Sequence, residues 1–577
     1  YFTNMGPHDQ NWITGSSQIN LRGIDGGTLV LINGVPASFN NVNHLDMLNL
    51  DEVKRVEIVK GGGAVLYGSE ALGGVVNIIT KDQMKNSLRV AAGNKGQRDY
   101  AATIGMGKAS LALGRNEFGS TGNMTESLGT KKINGTAVPY YIGFGDSKKD
   151  HLAFNYKFDD RFKFSYMFNK KKYTTNYNDV NENILQHFMY DDREHYAQIA
   201  YNDENGWDAK IYYNQRRIEN PDYYVVNPTN VEWEKSDHKQ YGLDTKKVWR
   251  SDKATGLIGI SAKRETYKND NQKFKTFGDS SSILKDPAHF GTYALNNYSV
   301  YGSYDRKLSR ATNIIFSARE DLIRSEAGDY NEFLPQIQAI TKFDEHNSVY
   351  ASVGKSFRMP TFRNLYYASS VVVPNPDLEA EHGWNYEIGY KYSENGRRLN
   401  LTAFRIDIKD QIVAVKNLVD NQSYQTNAAK YRNTGIELRY EQDVDKHFTY
   451  NVGAVFAKPQ RMYKEGQAWI DTLGRYQING GVNYVNRDFS AALNLSYWGN
   501  RFKNGVISEK ITVTEISSPL LVSNLHLGYN VAKNVTTTFD VDNLFNRKDI
   551  ANVGGTSNNN LYYTMGRTFR VGVNYNF

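Results

Sequence analysis

Two histidines and a pair of tyrosines are the side chains in this sequence whose chemistry is easiest to name. His8 and His44 each lie in a short polar, turn-forming segment, and the chain contains only 11 histidines. A neutral imidazole is a common metal ligand, and a tyrosinate, as from Tyr366 or Tyr367, can ligate ferric iron. The alternative stays open that all four are ordinary loop residues, in a chain with 41 tyrosines.

Two charged segments are further candidate sites. The acidic group DDREH at residues 191–195 could bind a cation, and the basic run NKKKY at 169–173 could face anionic groups or solvent. Both kinds of segment are also common in ordinary loops. No nucleophile, base and orienting residue stand out together, so no catalytic site is predicted. The chain has no cysteine, which excludes disulfides, thiol catalysis and cysteine-based zinc sites.

The composition restricts the fold that could position these residues. Among 577 residues, 69 are basic and 62 acidic, and the net charge of +7 is spread too widely to predict nucleic-acid binding. The mean hydropathy is −0.61, and no run of 18 apolar residues predicts a membrane helix. Aromatic residues make up 13% of the chain, which argues against disorder. Abundant tyrosine in a polar chain is typical of a transmembrane β-barrel.

The pattern of alternation supports the barrel. In the last ten residues, TFRVGVNYNF, every odd position is apolar and every even position is small or polar. Similar segments follow one another from about Leu88 to the C-terminus. A barrel wall produces this period of two because one face meets lipid and the other meets water. A soluble sandwich is the alternative, but its buried faces need far more valine, isoleucine and leucine.

Residues 1–83 follow a different pattern. Two buried-strand runs, at 28–32 and 75–79, flank a helical stretch at about 51–54 and a third run at 56–59. This order predicts a small α+β domain over residues 1–83, with a boundary between Thr80 and Lys85 and a barrel over residues 84–577. No apolar leader precedes it, and we expect the natural N-terminus to lie upstream of Tyr1.

Four blocks in this region resemble the plug domain of TonB-dependent outer-membrane receptors. They are INLRG at 19–23, LVLINGVP at 29–36, VKRVEIVKG at 53–61 and LYGSEALGGVVNIITK at 66–81. At the other end, DVDNLFN at 540–546 resembles the family's penultimate-strand motif, and the terminal Phe577 resembles its barrel-assembly signal. The resemblance implies an all-β transmembrane barrel of 22 antiparallel strands with the plug inside its lumen. It also implies that Arg22, Arg55 and Glu57 pair with the barrel wall, the alternative being exposure to solvent.

The resemblance also suggests a ligand. Haem receptors of this family place a histidine near the position of His44, on an apical plug loop, and Phe39 would add a stacking face. The segments SFRMPT at 356–361 and NPDL at 375–378 are similar to the FRAP and NPNL boxes of haem receptors, although Met359 and Asp377 depart from the pattern. No histidine lies between the boxes. The expectation is therefore haem, ligated by His44 with Tyr366 or Tyr367 opposite and His8 nearby; a ferric siderophore or cobalamin is the alternative.

The family implies active transport rather than catalysis. The implied partners are the TonB–ExbB–ExbD energy-coupling complex, the surrounding lipopolysaccharide and a haem-carrying protein, with no nucleic acid. No intrinsic cofactor is expected, since haem or a ferric chelate would be cargo. A passive porin is disfavoured by the plug blocks, and a barrel enzyme by the missing catalytic set. The segment that TonB grips is expected upstream of residue 1.

Overall fold

The computed structural model describes most of the chain. The described residues are 2–3, 18–19, 21–24, 26–40, 48–61, 64–133, 135–225, 231–233, 235–270, 272–274, 283–284, 290–368, 372–417, 419–420, 422–507, 510–516, 518–554 and 560–577. Among them, no helix has both the length and the apolar character needed to cross a bilayer.

The N-terminal region forms a four-stranded sheet. Its strands are β1 (Thr28–Ile32), β2 (Val35–Pro36), β3 (Val53–Lys60) and β4 (Gly74–Thr80), in the order β2–β1–β4–β3. Strands β1 and β4 are parallel, and β3 is antiparallel to β4. One turn of helix, α1 (Ala64–Tyr67), and two 3-10 helices, Leu21–Gly23 and Leu50–Glu52, complete this region.

The central strands of this sheet are buried, as the sequence predicts. Val30 of β1 and Val76 of β4 are each 1% exposed. The predicted helix at 51–54 was wrong in extent, because the helical turn ends at Glu52 and β3 begins at Val53. A run rich in valine and isoleucine favours the strand. Because β3 is an edge strand, its Val56 remains 52% exposed.

Twenty-two antiparallel strands close into a barrel around this sheet. They are β5 (Ser87–Gly93), β6 (Arg98–Met106), β7 (Ala109–Phe118), β8 (Tyr141–Lys157), β9 (Phe162–Asn178), β10 (Ile184–Asn202), β11 (Trp207–Val225), β12 (Lys235–Arg250), β13 (Ala254–Asp270), β14 (Phe290–Lys307), β15 (Thr312–Ser325), β16 (Gly328–Lys342), β17 (Asn347–Arg358), β18 (Glu381–Glu394), β19 (Arg397–Lys416), β20 (Ser423–Asp443), β21 (Phe448–Met462), β22 (Tyr476–Val485), β23 (Phe489–Gly499), β24 (Leu520–Ala532), β25 (Val535–Asp542) and β26 (Thr568–Asn576). A second short helix, α2 (Phe362–Tyr366), follows β17.

The last strand closes the barrel by pairing with the first. In the β26–β5 ladder, Val571 lies opposite Ala92. The predicted alternation of β26 is confirmed, since Phe569, Val571 and Val573 are 47%, 55% and 39% exposed and Thr568 is buried. Closure leaves no free edge in the wall, which is the condition for a sheet to cross a membrane.

The connections differ in length at the two ends of the barrel. At one end, two-residue turns such as 107–108 and 533–534 join the strands, and at the other end lie longer segments such as 119–140 and 359–380. Short turns mark the periplasmic side of such barrels and long loops the outer side. Strand β20 has 21 residues, whereas about 9–11 suffice to span a membrane. The long strands therefore extend beyond the bilayer.

Arg22 fixes the N-terminal sheet inside the barrel. Its side chain is 1% exposed and forms ion pairs with Glu387 of β18 and, at 3.4 Å, with Glu437 of β20. Lys60 binds the other oxygen of Glu437 at 2.9 Å. The guanidinium carbon also lies 4.3 Å from the centre of the Phe404 ring. The pairing with the wall that the resemblance implied therefore holds for Arg22.

Arg55 and Glu57 do not share this role. They pair with each other at 2.7 Å, and their side chains are 52% and 42% exposed. Their expected pairing with the barrel wall was wrong. Both lie in the middle of β3, whereas Lys60 at the end of that strand reaches the wall, where it binds Glu437.

Glycine is required where β4 begins. Gly74 has a φ of +139°, and a Cβ there would lie 2.4 Å from the carbonyl oxygen of Val59. A Cβ on Gly73 would lie 2.6 Å from the carbonyl oxygen of Leu21. Neither backbone atom can move without disturbing the sheet.

We expect Gly74→Val to disrupt the N-terminal sheet and leave the barrel assembled. Protease cleavage of residues 21–80 should increase, while the heat-dependent gel shift of the folded barrel stays unchanged. Gly480→Val is the control, because a Cβ there meets no atom within 4 Å. Equal protease resistance of Gly74→Val and the wild-type chain would contradict this placement.

Removing Arg22 should loosen the same domain far more than removing Arg55. Arg22→Ala leaves Glu387 buried without its cation, which costs about 3–5 kcal/mol. Arg55→Ala breaks an exposed pair, worth under about 1 kcal/mol. The measurement is the urea concentration at which a protease first cuts residues 21–80 in detergent. Equal midpoints for the two variants would show that the buried pairs do not hold the domain.

Candidate functional site

An aromatic pocket lies where the N-terminal sheet meets the outer ends of the barrel strands. It encloses about 560 Å³, including its opening. The sheet side contributes Asn40, Ser69 and Glu70, and the wall contributes His238 and Phe362 with their neighbours. The pocket thus joins the N-terminal domain, four barrel strands (β12–β15) and the segment that contains α2.

Helix α2 is held in place by its own cap. The hydroxyl of Thr361 accepts a hydrogen bond from the backbone N–H of Asn364 at 3.1 Å, and the Asn364 side chain accepts from the N–H of Thr361 at 3.0 Å. This capping box starts the helix directly after Pro360. The backbone N–H of Asn375 then donates to the carbonyl of Asn364 at 3.0 Å. The two sequence boxes are therefore linked through α2.

The boxes themselves are built into the wall. Phe357 is fully buried in a cluster with Val65 of α1, and Leu378 is 1% exposed. Arg358 donates to Glu381 at 2.6 Å. The N–H of Met359 donates to the hydroxyl of Ser69 at 3.2 Å, a direct bond from this segment to the N-terminal domain. The boxes thus position the pocket: Phe357 and Leu378 are buried away from it, whereas Met359 to Thr361 lie along its lining.

A column of rings forms one side of the pocket. Tyr366 stacks on Tyr293 with ring centres 3.7 Å apart, and Phe362 stacks on Tyr267 at 5.7 Å. Burial, followed by the nearby carboxylate of Glu326, raises the pKa of Tyr366 to about 12. The neutral phenol is therefore strongly favoured near neutral pH. Tyr366 is better suited to stacking than to ligation as tyrosinate.

The other residues that the sequence predicts to bind the ligand do not all lie at this pocket. Tyr367 does not join the column, since its ring lies 4.1 Å from the guanidinium carbon of Arg363. Phe39 is 1% exposed and reaches the pocket wall, with its ring centre 5.2 Å from that of His238. His8 and His44 lie outside the described residues. The structure therefore places Tyr366 on the pocket lining and Phe39 behind the lining residue His238, with Tyr367 outside the ring column.

His238 is a site residue that the sequence analysis missed. It is 4% exposed, lies between the rings of Phe39 and Phe362, and shares a hydrogen bond of 3.1 Å with Glu265 through Nε2. A donated Nε2–H would leave Nδ1 as an acceptor. Residues two apart on a strand share a face, so His238 and Gln240 both face inward. This spacing is the feature of the sequence that could have identified His238. The partner Glu265 could not be found without the β12–β13 register.

Glu70 closes the pocket on the side of the N-terminal domain. It is in the left-handed region, with φ +77°, and accepts a hydrogen bond of 2.6 Å from the hydroxyl of Ser38. Burial raises the pKa of the Glu70 carboxyl, against the opposing effect of Lys263. The protonated form is thus favoured more than at a solvated glutamate.

The acidic group at 191–195 does not form a cation site. Asp191 binds Arg193 at 2.7 Å on one face of β10, and Asp192 binds Arg216 at 2.7 Å on the other face. His195 instead shares a hydrogen bond of 2.9 Å with Tyr166. Across the described part of the chain, no three acidic or histidine side chains converge on a possible metal position.

The basic run at 169–173 is divided by the same alternation. Lys171 is fully buried on the inner face. Lys170 and Lys172 point outward and lie 3.5 Å and 3.8 Å from Asp191. A strand of period two cannot present three consecutive cations to one surface.

The comparisons with known proteins agree with this architecture. Residues 134–544 match the family model "TonB dependent receptor-like, beta-barrel", and residues 6–75 match "TonB-dependent Receptor Plug Domain". The chain is 25% identical to a hemin receptor of Yersinia enterocolitica over 90% of this chain and 76% of that protein.

Solved structures share the fold at lower identity. A point mutant of the ferric enterobactin receptor from Pseudomonas aeruginosa, in complex with enterobactin, has a TM-score of 0.74 at 17% identity, covering 98% of this chain and 95% of that one. The siderophore receptor PirA from Acinetobacter baumannii has a TM-score of 0.71 at 15% identity, covering 100% and 94%. The ferripyoverdine receptor of P. aeruginosa gives 0.71 at 13%, covering 98% and 82%.

A closed barrel of 22 strands around a small mixed sheet is the architecture of a plugged outer-membrane receptor. The chain belongs to the TonB-dependent receptor family, as the sequence blocks predicted, and it resides in the outer membrane. Members of this family are receptors and not enzymes. The domain that contains β1–β4 is its plug.

We expect Glu70→Gln to make the plug less sensitive to pH. Because the pKa of Glu70 is higher in the folded protein than in the unfolded chain, the protonated carboxyl stabilises the fold. This stabilisation is complete below pH 4.5, the ordinary pKa of the group, and is lost as the pH rises through the folded-state pKa. The glutamine keeps the bond to Ser38 but cannot ionise. The check is the urea midpoint for protease cleavage of the plug, measured across that pH range in both proteins. A parallel decline in both would contradict the assignment.

Proposed function

We propose that this chain imports an iron chelate across the outer membrane by TonB-coupled transport, with haem as its cargo. The observation that carries the proposal is the aromatic pocket between plug and wall. Stacked rings of Phe362 and Tyr366 line it at the junction of plug and barrel. Flat apolar cargo gains most from such surfaces.

The relative with 25% identity supports haem over other chelates. That protein of Yersinia enterocolitica is named a hemin receptor, and the match extends over 90% of this chain. The sequence boxes around α2 have the same order as in haem receptors. In this proposal no cofactor is resident, because the haem is carried and released.

We propose His44 as the axial ligand of the haem iron and His8 as a further binding residue; both lie outside the described residues. Phe39 supplies a ring behind His238. Of the two tyrosines, Tyr366 stacks, since its pKa is raised to about 12. Tyr367 lies against the guanidinium group of Arg363 and is not part of the stacked column.

The same proposal assigns the domains and partners. Residues 1–83 form the plug and residues 84–577 the barrel, supported by the passage from β4 to β5 between Thr80 and Ser87. TonB–ExbB–ExbD would supply energy from the periplasmic side. Lipopolysaccharide surrounds the outer half of the wall, and a haem-carrying protein would deliver cargo to the outer loops.

A ferric siderophore is the second candidate. It is favoured by the pairing of an arginine with an aromatic ring at the outer end of the barrel, where Arg461 lies 5.7 Å from the Tyr463 ring. Such pairs bind anionic aromatic groups through charge and stacking. The solved structures with this fold include siderophore receptors.

The distinguishing experiment is a titration of the purified receptor with haemin, followed by its Soret absorbance. We expect the wild-type chain to shift the Soret band and His44→Ala to bind more weakly with an altered spectrum. Tyr366→Phe should lower affinity little, and Tyr367→Phe more. Removing His44 and Tyr367 together should cost more than either change alone if they share one iron.

The control is His346→Ala, since His346 lies on a short-turn connection at the periplasmic end. An unchanged spectrum and affinity in all variants would reject the ligand assignment. No binding of haemin to the wild-type chain, together with uptake of a ferric catecholate, would favour the second candidate.

A further inference from the structure

The outer wall of strands β19–β21 carries a compact group of cations. On β19, Phe404, Ile406 and Ile408 point into the lumen, where they pack with the plug. Because side chains alternate along a strand, the residues between and after them face outward. These outward positions are Arg405, Asp407 and Lys409.

The level of this group in the membrane can be found from its neighbours. Below it, the outward side chains are apolar and exposed: Ile388 by 57%, Ile436 by 52% and Phe456 by 55%. Trp384 and Tyr386 then form a stacked pair with ring centres 6.5 Å apart. Aromatic residues mark the boundary between hydrocarbon and headgroups.

The cations lie at and directly above this aromatic pair. Tyr386 lies opposite Arg405, and Trp384 lies opposite Asp407. On the next strands Arg432 lies opposite Asp407, and Lys458 lies opposite Thr434. Neighbouring strands are about 4.8 Å apart, so the group spans only three strands at headgroup level.

The charges of this outward-facing patch on strands β19–β21 do not cancel. It contains five cations and two carboxylates: Arg405, Lys409, Lys430, Arg432 and Lys458, with Asp407 and Glu465. Arg405 holds Asp407 at 2.8 Å, and Lys430 holds Glu465. At the upper edge, Asp471 is bound by Arg475 and Gln460, and Asp410 lies 3.8 Å from His382.

Three cations of the patch keep free capacity. Arg432 lies 4.1 Å from the Trp469 ring and donates two hydrogen bonds to Gln460, at 2.8 Å and 3.0 Å. A guanidinium has five N–H donors, so others remain. Lys409 and Lys458 are exposed, and neither forms an ion pair with a described residue.

We propose that this patch is a binding site for the phosphate groups of an outer-leaflet glycolipid, namely the lipid A part of lipopolysaccharide. The acyl chains would lie on the apolar band, the sugars on the Trp384–Tyr386 pair, and a phosphate among Arg432, Lys409 and Lys458. Charge-assisted hydrogen bonds from arginine suit phosphate oxygens. The position at headgroup level selects a lipid over a soluble anion.

The cations of β9 provide a matched contrast. Lys170 and Lys172 also face outward, but both lie within 4 Å of Asp191, which Arg193 binds as well. Each of these two lysines therefore has a carboxylate within 4 Å, unlike Lys409 and Lys458 in the described part of the chain. They should add little to lipid binding, although they look like the more basic segment in the sequence.

The experiment measures binding of hexa-acylated lipid A to the delipidated receptor in detergent, by native mass spectrometry. The test variant is Arg432→Gln with Lys458→Gln, and the control is Lys170→Gln with Lys172→Gln. We expect affinity to fall about 30-fold in the test variant, since each basic residue near an anionic lipid contributes about fivefold, and to stay near wild type in the control. Dephosphorylated lipid A should bind both proteins equally weakly.

Three results would overturn the proposal. They are equal loss in both variants, equal binding of phosphorylated and dephosphorylated lipid by the wild-type chain, and displacement of the lipid by inorganic phosphate at the same concentration. The heat-dependent gel shift shows that each variant is folded. Haemin titration of the test variant should match wild type, which separates this site from cargo binding.

Discussion

Every backbone N–H and C=O of the wall must find a partner inside the chain, because hydrocarbon offers none. The pairing of β26 with β5 satisfies this condition, and the rest of the architecture follows from it. A closed wall separates two environments, so each strand alternates between lipid and water. A ring of 22 strands is also too wide for its own side chains to fill, and the plug occupies the lumen.

The contact between plug and wall is made largely by polar groups. Side-chain amides of the wall donate to carbonyls of plug turns, from Asn433 to Arg22 at 2.9 Å, from Asn214 to Pro36 at 2.7 Å and from Gln240 to Ser38 at 2.9 Å. Water can replace such bonds at small net cost. The buried ion pairs of Arg22 differ, because separating them leaves charges unpaired. The amides thus allow movement, while Arg22 defines the resting position.

Much of this fold was available from the sequence. Alternation in segments such as 568–577 predicted the wall, and the blocks at 19–81 predicted the plug, because both patterns are local. Partners were harder to predict. Arg22 and Arg55 look alike in sequence, yet only Arg22 reaches the wall, since it lies in the 3-10 helix Leu21–Gly23 whereas Arg55 lies within β3. His238 and Glu265 meet only through the register of two strands, and no single-strand pattern encodes a register.

The sequence did not show how the segment around Phe357 and Met359 is arranged. Phe357 is buried in the wall, whereas Met359 lines the pocket and its backbone N–H bonds Ser69 of the plug. A residue that is buried in the wall and a residue that lines the pocket can be of the same amino-acid type. The distinction depends on burial, which arises only when the plug and wall are assembled.

The length of the strands has a consequence for electrostatics at the mouth of the receptor. Strands of 19 residues, such as β10 and β11, measure about 63 Å at 3.3 Å per residue, or about 48 Å in height at a tilt near 40°. The apolar belt needs only about 25 Å. The rim of the barrel therefore stands well above the lipid phosphates, by more than the Debye length of about 8 Å at physiological salt. A negatively charged chelate approaching the rim is thus screened from the repulsion of the membrane surface and meets the protein's own field first.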